Sequence, residues 1–264
     1  MPGDIVVKGD YVFKNFEYPL ECRRVFEIYR TCWSLNIPNI LRPEYIKPST
    51  LKFRNRGMNI HDLHYNFRDV LTIKMKIKII TTLINFAAEL CKHGFVHRDI
   101  KLDNVLLDLK TEEVWIIDLE TVYELGKQQI KFVEQVCGTP ECTSIEQYIG
   151  FAAYASDVWQ IGIFIAELLG HYNFCYDGID YSDHEVMTII IDTIDMIDMC
   201  QKECTLEKYL NHLETDLKFV KKHDGFFMNL LVSMLQVNYK KRPSIYEVKN
   251  KLETFLYKNT TRES

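Results

Sequence analysis

The chain has no long uninterrupted apolar run. A mainly apolar stretch at residues 186–199 is broken by Asp192, Asp195 and Asp198, whereas a transmembrane helix needs about 20 predominantly apolar residues. No apolar segment of signal-peptide length follows Met1. We therefore expect a protein with no membrane segment, located in the cytoplasm or the nucleus.

The chain also lacks an excess of positive charge. It carries 32 Lys and Arg against 37 Asp and Glu, a formal net charge of −5, so electrostatics gives no reason to expect nucleic acid or an anionic membrane as a partner. The 8 cysteines are scattered, and without a secretory signal we expect reduced thiols. A zinc site remains an alternative at Cys200, Cys204 and His212, although the spacing of these residues is poor for a structural site.

Length and composition are those of an ordinary globular protein. The chain has 264 residues, of which 47% are hydrophobic and 26% are charged. That is long enough to bury a sizeable core, either as one domain or as a two-lobed unit.

The most informative stretch is residues 97–104, which reads His-Arg-Asp-Ile-Lys-Leu-Asp-Asn. Short apolar runs follow at residues 105–107 and 115–117, and a polar turn separates them. Apolar runs of this length on either side of a turn predict a β-hairpin. The stretch is therefore expected to be a loop that leads into a tight hairpin.

Four polar side chains accompany this hairpin: Asp99, Lys101 and Asn104 in the loop, and Asp118 after its second strand. Phosphoryl transfer uses such a set, because a carboxylate orients the hydroxyl, a lysine contacts the moving phosphate, and Asp and Asn oxygens bind Mg²⁺. At these residues the chain resembles the eukaryotic protein kinase family, whose catalytic loop reads H-R-D-x-K-x-x-N. Because a lysine stands two residues after the aspartate, this loop resembles that of the serine/threonine branch of the family.

The resemblance implies an α+β, protein-kinase-like two-lobed fold. We expect a reduced, β-rich N-lobe over residues 1–57 and a mainly α-helical C-lobe over residues 58–264. Kinases cover the ATP phosphates with a G-x-G-x-x-G loop, but no two of the 11 glycines here are separated by a single residue. The N-lobe is therefore expected to be naturally truncated, or to be completed from elsewhere.

Residues 11–14 resemble the kinase strand whose lysine binds the α- and β-phosphates, and residues 25–41 resemble the following helix and its exit. The resemblance implies that Lys14 contacts the nucleotide and that Glu27 on the helix holds it. Glu21 is the alternative partner. Taken alone, Lys14 also fits an exposed strand lysine.

The family's D-F-G motif appears here as Asp118-Leu119-Glu120. The resemblance implies that Asp118, together with Asn104, binds Mg²⁺, and Leu119 can fill an apolar slot. Glu120 stands where the family has glycine. It is expected to cost backbone freedom and to add a negative charge beside the metal.

The run Gly-Thr-Pro-Glu at residues 138–141 resembles the end of a kinase activation segment. The resemblance implies that Thr139 contacts Asp99 and Lys101 and helps to position the incoming hydroxyl. Thr139 is therefore a candidate catalytic residue beside them.

Three further contacts are implied by the same resemblance. Glu134 is predicted to supply a standing negative charge to Arg98 in place of a phosphate. Asp157 is predicted to tether the catalytic loop, and Arg242 to form a buried ion pair with Glu146.

Two functions remain open at this point. The first is an ATP- and Mg²⁺-dependent serine/threonine protein kinase that acts on protein substrates. The alternative is a catalytically weak or inactive kinase-like module that binds another kinase or a regulatory protein. The missing glycine-rich loop and Glu120 motivate this alternative.

Overall fold

The computed structural model describes four stretches of the chain: residues 4–133, 137–169, 226–236 and 238–260. The predictions that fall outside these stretches are the charge at Glu134 and the zinc site at Cys200, Cys204 and His212. Among the helices of the four stretches, none combines the length and the apolar character needed to cross a membrane.

The chain divides into two compact units. The first comprises Met1–His97 and Leu102–Gly126, and the second comprises Arg98–Lys101 and Lys127–Ser264. This division does not coincide with the lobe boundary predicted after residue 57, which stays a prediction.

The first unit contains a four-stranded antiparallel sheet. Its strands are β1 (Asp4–Lys8), β2 (Tyr11–Asn15), β3 (Glu44–Lys47) and β4 (Thr50–Arg54). They lie in the order β1-β2-β4-β3, with Lys14 opposite Ile5 on one side and Leu51 on the other. Gly9 makes the turn between β1 and β2 with φ +56°, and the two strands form an antiparallel hairpin.

Helix α1 (Pro19–Ser34) begins at a proline, which suits the first helical position because its missing N–H has no partner there. Its buried residues recur at intervals of three and four and form one face: Cys22, Val25, Tyr29 and Cys32. This face packs towards the sheet, where the ring of Tyr29 lies 5.4 Å from that of Phe53.

The rest of the first unit is built from short strands and two helices. The strands are β5 (Met58–Asn59), β6 (Phe95–Val96), β7 (Val105–Leu107), β8 (Val114–Ile116) and β9 (Tyr123–Glu124). The helices are α2 (Ile60–Asn66) and α3 (Ile73–Lys92). Strands β7 and β8 pair as an antiparallel hairpin and β5 adds to β7, which confirms the hairpin predicted after the loop.

Helix α3 begins at Ile73, because the side chain of Thr72 caps its first turn by accepting a hydrogen bond from the Met75 amide at 3.2 Å. Its apolar residues from Ile79 to Leu90 are buried. Gly94, with φ +86°, follows the helix and ends it, because a left-handed residue after the last turn is most easily a glycine.

The described residues of the second unit are mainly helical. They form β10 (Ile130–Phe132), β11 (Phe151–Ala153), α4 (Ile145–Tyr148), α5 (Tyr154–Leu168), α6 (Phe226–Met234) and α7 (Ile245–Thr260). Strands β10 and β11 pair antiparallel. Helix α5 is buried along most of its length, and Gly162 lets Leu235 pack within 2.8 Å of where a Cβ would stand.

Candidate active site

A cavity of about 510 Å³ lies within the first unit, a volume typical of small-molecule sites. One part of its wall is apolar and is formed by Ile5, Val7, Val12, Phe53 and Leu106. Another part is polar and is formed by Lys14, Asp62, Asp103, Asn104, Asp118 and Glu120. The cavity therefore offers an apolar slot and a charged end to the same ligand.

Asp118 lies at a sharp turn after strand β8. Its backbone is left-handed, with φ 61° and ψ 66°, a conformation that is costly for a residue other than glycine and that clusters at functional sites. Leu119 is completely buried, so the apolar slot predicted for it is confirmed. The backbone of Asp118 and Leu119 forms hydrogen bonds with the hydroxyl of Tyr29, which fixes the turn against helix α1.

Lys14 forms two ion pairs at the charged end of the cavity. Its ammonium nitrogen lies 2.6 Å from a carboxylate oxygen of Glu120 and 3.1 Å from one of Asp118. The Lys14 side chain is only 12% exposed, which rules out an exposed strand lysine. Burial lowers the pKa of Lys14, but the two carboxylates outweigh it and the pKa is raised overall.

The carboxyl group of Glu120 responds to the same surroundings. Burial and the nearby carboxylate of Asp118 raise the pKa of Glu120 above its ordinary value, although Lys14 acts in the opposite direction. Lys14 is therefore the cation that stabilises the charged form of this carboxyl group.

The predicted pair between Lys14 and Glu27 is wrong. The carboxylate of Glu27 lies 2.6 Å from Arg30 and is 41% exposed, and Glu27 does not line the cavity. The reason is helical geometry, because Glu27 lies two residues from both Val25 and Tyr29 and so about 200° around the helix from that buried face. The alternative, Glu21, is near enough to raise the pKa of Glu120 but forms none of the ion pairs described for Lys14.

Asn104 closes a short 3₁₀ turn before strand β7 and is 6% exposed. Its carbonyl accepts a hydrogen bond from the Ile117 amide at 3.0 Å. Since Ile117 directly precedes Asp118, this bond ties the backbones that carry the two predicted Mg²⁺ ligands. Both side chains line the cavity.

In the second unit, Asp99, Lys101 and Thr139 form a chain of hydrogen bonds. The ammonium of Lys101 donates to the Thr139 hydroxyl at 2.6 Å, and that hydroxyl donates to Asp99 at 2.8 Å. The Thr139 amide donates to the same Asp99 oxygen at 2.9 Å. The contacts predicted for Thr139 are confirmed, and they hold the Asp99 carboxylate in one orientation.

The backbone around Asp99 is held by buried side chains. The Arg98 amide donates to Asp157 at 2.9 Å, which confirms the predicted tether, and the Ile100 amide donates to Gln160 at 2.9 Å. The Arg98 carbonyl accepts from Gln147 at 2.6 Å and from Gln160 at 3.0 Å. Neither glutamine was predicted from the sequence, because amides on later helices give no local signal.

Gly138 packs against this support. Its φ is +101°, and an added Cβ would come within 2.6 Å of the Gln147 amide nitrogen and 2.7 Å of the Arg98 carbonyl oxygen. We expect Gly138→Ala to lower the free energy of unfolding by about 1–3 kcal/mol for the unfavourable backbone region, and by a further amount because the new Cβ would displace the Gln147 side chain and the Arg98 carbonyl. Urea denaturation measures this change.

The matched control for this prediction is Gly9→Ala. Gly9 also has a positive φ, +56°, but an added Cβ there meets nothing within 4 Å. We expect a smaller loss of stability at Gly9. Equal losses at the two positions would contradict the role given to the space around Gly138.

A cavity with a buried lysine between carboxylates, together with an oriented aspartate in a loop, is typical of enzymes that transfer phosphoryl groups from nucleotides. The family model described as protein kinase domain matches residues 35–252. The chain belongs to the protein kinase family, and its curated relatives are eukaryotic serine/threonine kinases. The fold is the α+β protein kinase fold, as the sequence predicted.

Three relatives illustrate the similarity. The chain is 31% identical over 115 residues to serine/threonine-protein kinase csk1 of Schizosaccharomyces pombe, covering 42% of this chain and 37% of the relative. It is 33% identical over 81 residues to human Rho-associated protein kinase 1, covering 29% and 6%. It is 28% identical over 184 residues to NUAK family SNF1-like kinase 2 of Rattus norvegicus, covering 61% and 26%. The chain thus spans well under half the length of these relatives.

Proposed function

We propose that the chain is a serine/threonine protein kinase that transfers the γ-phosphate of ATP to hydroxyl groups of protein substrates. The observation that carries the proposal is a cavity in the first unit that combines an apolar slot with Lys14, Asn104 and Asp118. The kinase relatives support the same reaction class. A fold by itself does not define an activity, so the site must carry the argument.

The apolar slot fits the adenine ring of ATP. Ile5 and Val7 line the cavity although they are 63% and 60% exposed. A planar base bound between them and Leu106 would cover this apolar surface, and such burial is favourable at roughly 25 cal/mol per Å². Binding of adenine would therefore explain why Ile5 and Val7 are exposed beside the cavity.

The charged end fits Mg²⁺ and phosphate. Mg²⁺ is usually held by one or two carboxylates together with substrate phosphates, and Asp118 with Asn104 supplies that kind of incomplete set. In agreement, the part of the chain that the structure describes contains no cluster of three or more His, Cys, Asp or Glu able to hold a metal alone. When bound, ATP would supply the phosphoryl group, and Mg²⁺ would neutralise the negative charge of its phosphates.

The remaining roles fall to the second unit. Asp99 accepts the proton of the substrate hydroxyl, and its hydrogen bonds to Thr139 keep the carboxylate oriented. Lys101, already bonded to Thr139, contacts the transferred phosphate as a mobile positive charge. Thr139 couples the two residues and positions the incoming hydroxyl.

A kinase-like binding module is the second candidate function. The absence of a G-x-G-x-x-G loop from the sequence favours it, because backbone contacts to the phosphates would be fewer. Such a module would bind another kinase or a regulatory protein. It would tolerate loss of Asp99 without any change in that binding.

Nucleotide binding provides the first test. We expect Mg²⁺·ATP to raise the melting temperature of the wild-type chain more than ATP alone does, because only the folded state binds the ligand. Asp118→Asn should remove the extra stabilisation by Mg²⁺, since a neutral amide is a weaker ligand for a hard cation. Thermal unfolding with ATP, with and without Mg²⁺, measures both effects.

Asp69→Asn is the matched control for Asp118→Asn. Asp69 is an exposed carboxylate outside the cavity, so its replacement should leave the Mg²⁺ effect unchanged. If Asp118→Asn kept the full Mg²⁺ effect, Asp118 would not be the ligand that we propose.

A further inference from the structure

We infer that Glu120 is the residue that positions Lys14 for nucleotide binding. In this chain the partner of the lysine comes from the turn after β8, and helix α1 does not supply it. The inference deepens the proposed function and rests on Lys14 contacting the phosphates of ATP.

The geometry of the pair supports this role. The Lys14 ammonium donates a hydrogen bond to Asp118 at 3.1 Å, and it lies closer still, at 2.6 Å, to the oxygen of Glu120 with which it forms an ion pair. The Glu120 side chain is 18% exposed and that of Lys14 is 12% exposed. A lysine ammonium on a flexible four-carbon stem gains a fixed position from such a close anion, and burial limits screening by solvent.

None of the buried positions of helix α1 carries a carboxylate. These positions are Cys22, Val25, Tyr29 and Cys32. The helix instead holds the backbone of the turn, because Arg24 donates to the Glu120 carbonyl at 3.0 Å and Tyr29 is hydrogen-bonded to Asp118 and Leu119. The helix therefore acts on Lys14 through the turn that carries Glu120.

The backbone at Glu120 accommodates a side chain. Glu120 lies in a 3₁₀ turn, Leu119–Thr121, and is not among the residues with positive φ. The cost in backbone freedom expected from replacing a glycine is therefore not incurred. Where other kinases have a flexible glycine, this chain has the carboxylate of Glu120.

Asp118 cannot both bind Mg²⁺ and hold the Lys14 ammonium in place. A hard divalent cation competes with Lys14 for the Asp118 oxygens, and the ammonium then depends on its second anion. Glu120 is that anion among the contacts of Lys14 in the described part of the chain. The sequence suggested that the negative charge of Glu120 would be unfavourable beside the metal site. That charge thus has a function, which is to hold Lys14.

The test compares four single variants of the full chain: Glu120→Ala, Glu120→Gln, Glu120→Asp and Glu27→Gln. We measure Mg²⁺·ATP affinity by calorimetry, and kcat and KM for ATP with casein as acceptor. Glu120→Ala and Glu120→Gln should lower kcat/KM by about 10²-fold, the cost of a misplacement near 1 Å. Glu120→Asp should recover part of the loss, and Glu27→Gln should lose less than the Glu120 variants.

Glu124→Gln is the matched control, since Glu124 is an exposed carboxylate in the same stretch and does not line the cavity. Glu120→Gln keeps the size of the side chain and guards against a folding defect in Glu120→Ala. The inference is overturned if Glu120→Gln binds Mg²⁺·ATP as the wild type does, or if its activity rises. It is equally overturned if Glu27→Gln causes the larger loss.

A double-mutant cycle separates positioning from a general structural effect. If Glu120 acts through Lys14, then Glu120→Gln should have no further effect on Mg²⁺·ATP affinity in a Lys14→Met background. Additive losses would overturn the inference. A wild type that binds Mg²⁺·ATP without transferring phosphate would refute the proposed function alone, whereas a wild type that binds no nucleotide would refute both.

Discussion

Asp99→Asn should lower the rate of phosphate transfer by about 10²–10⁴-fold, the range that general acid–base catalysis contributes. The amide can still accept the hydrogen bonds that Asp99 receives from the Thr139 amide and hydroxyl at 2.9 and 2.8 Å. It cannot take a proton from a substrate hydroxyl, and it no longer attracts Lys101, whose ammonium lies 3.7 Å from the second oxygen. Transfer of radiolabelled γ-phosphate to casein measures the rate.

The same variant should bind Mg²⁺·ATP with unchanged affinity, because Asp99 does not line the cavity of the first unit. A loss confined to kcat therefore identifies a group that acts on the substrate hydroxyl. Thr139→Ala is a useful companion, since it frees the carboxylate without removing it and should cost less. If Asp99→Asn and the wild type gave equal signals, the binding module would replace the kinase as the proposed function.

The sequence predicted the parts of the site that depend on short, ordered strings. Residues 97–104 defined a loop before a hairpin, and strands β7 and β8 form that hairpin. The contacts of Thr139 with Asp99 and Lys101, and of Asp157 with Arg98, followed from family resemblance and are confirmed. These contacts span long distances along the chain, so local patterns alone would not have predicted them.

The error at Glu27 has a physical cause that the sequence already contained. Glu27 was assigned because residues 25–41 resemble the kinase helix and its exit, but a helix presents only residues three or four apart on one face. The apolar residues Cys22, Val25 and Tyr29 define that face and exclude Glu27 from it. The periodicity of these apolar residues therefore indicates that Glu27 faces away from the sheet.

Glu120 and the two buried glutamines could not have been predicted. Glu120 lies 106 positions after Lys14, and its sequence neighbours suggested only a lost glycine. Gln147 and Gln160 act on Arg98 from helices that begin far along the chain. In each case the side chain gains its role from tertiary packing, which no local pattern encodes.

Arg242→Met should lower the free energy of unfolding of the second unit by about 3–5 kcal/mol, the cost of leaving one partner of a buried ion pair alone. Arg242 and Glu146 are joined by two contacts of 2.5 and 3.1 Å, and both side chains are fully buried, which confirms the pair predicted from the sequence. Arg242 also donates to the carbonyls of Ala155 at 3.0 Å and Gln236 at 2.6 Å. The loss of Arg242 therefore leaves the Glu146 carboxylate and both carbonyls without this hydrogen-bond donor.

Trp159 offers a local probe for this unit, because the Arg242 guanidinium lies 4.8 Å from its ring. Urea denaturation followed by tryptophan fluorescence in a Trp33→Phe, Trp115→Phe background would therefore report on this site. The double variant Glu146→Met, Arg242→Met should recover part of the stability, since an apolar pair leaves no buried charge. Recovery should be incomplete because the two carbonyls still lack their donor.

The pair also predicts a dependence of stability on pH. Burial alone would raise the pKa of Glu146, but Arg242 and nearby hydrogen bonds hold it below the ordinary value of 4.5. A lowered folded-state pKa contributes stability that is complete above the unfolded value and is lost as pH falls through the folded one. The difference in unfolding free energy between the wild type and Glu146→Gln should thus be constant near neutral pH and shrink below about pH 4.5. A difference that grew on acidification would mean that Glu146 is not held as the carboxylate that Arg242 requires.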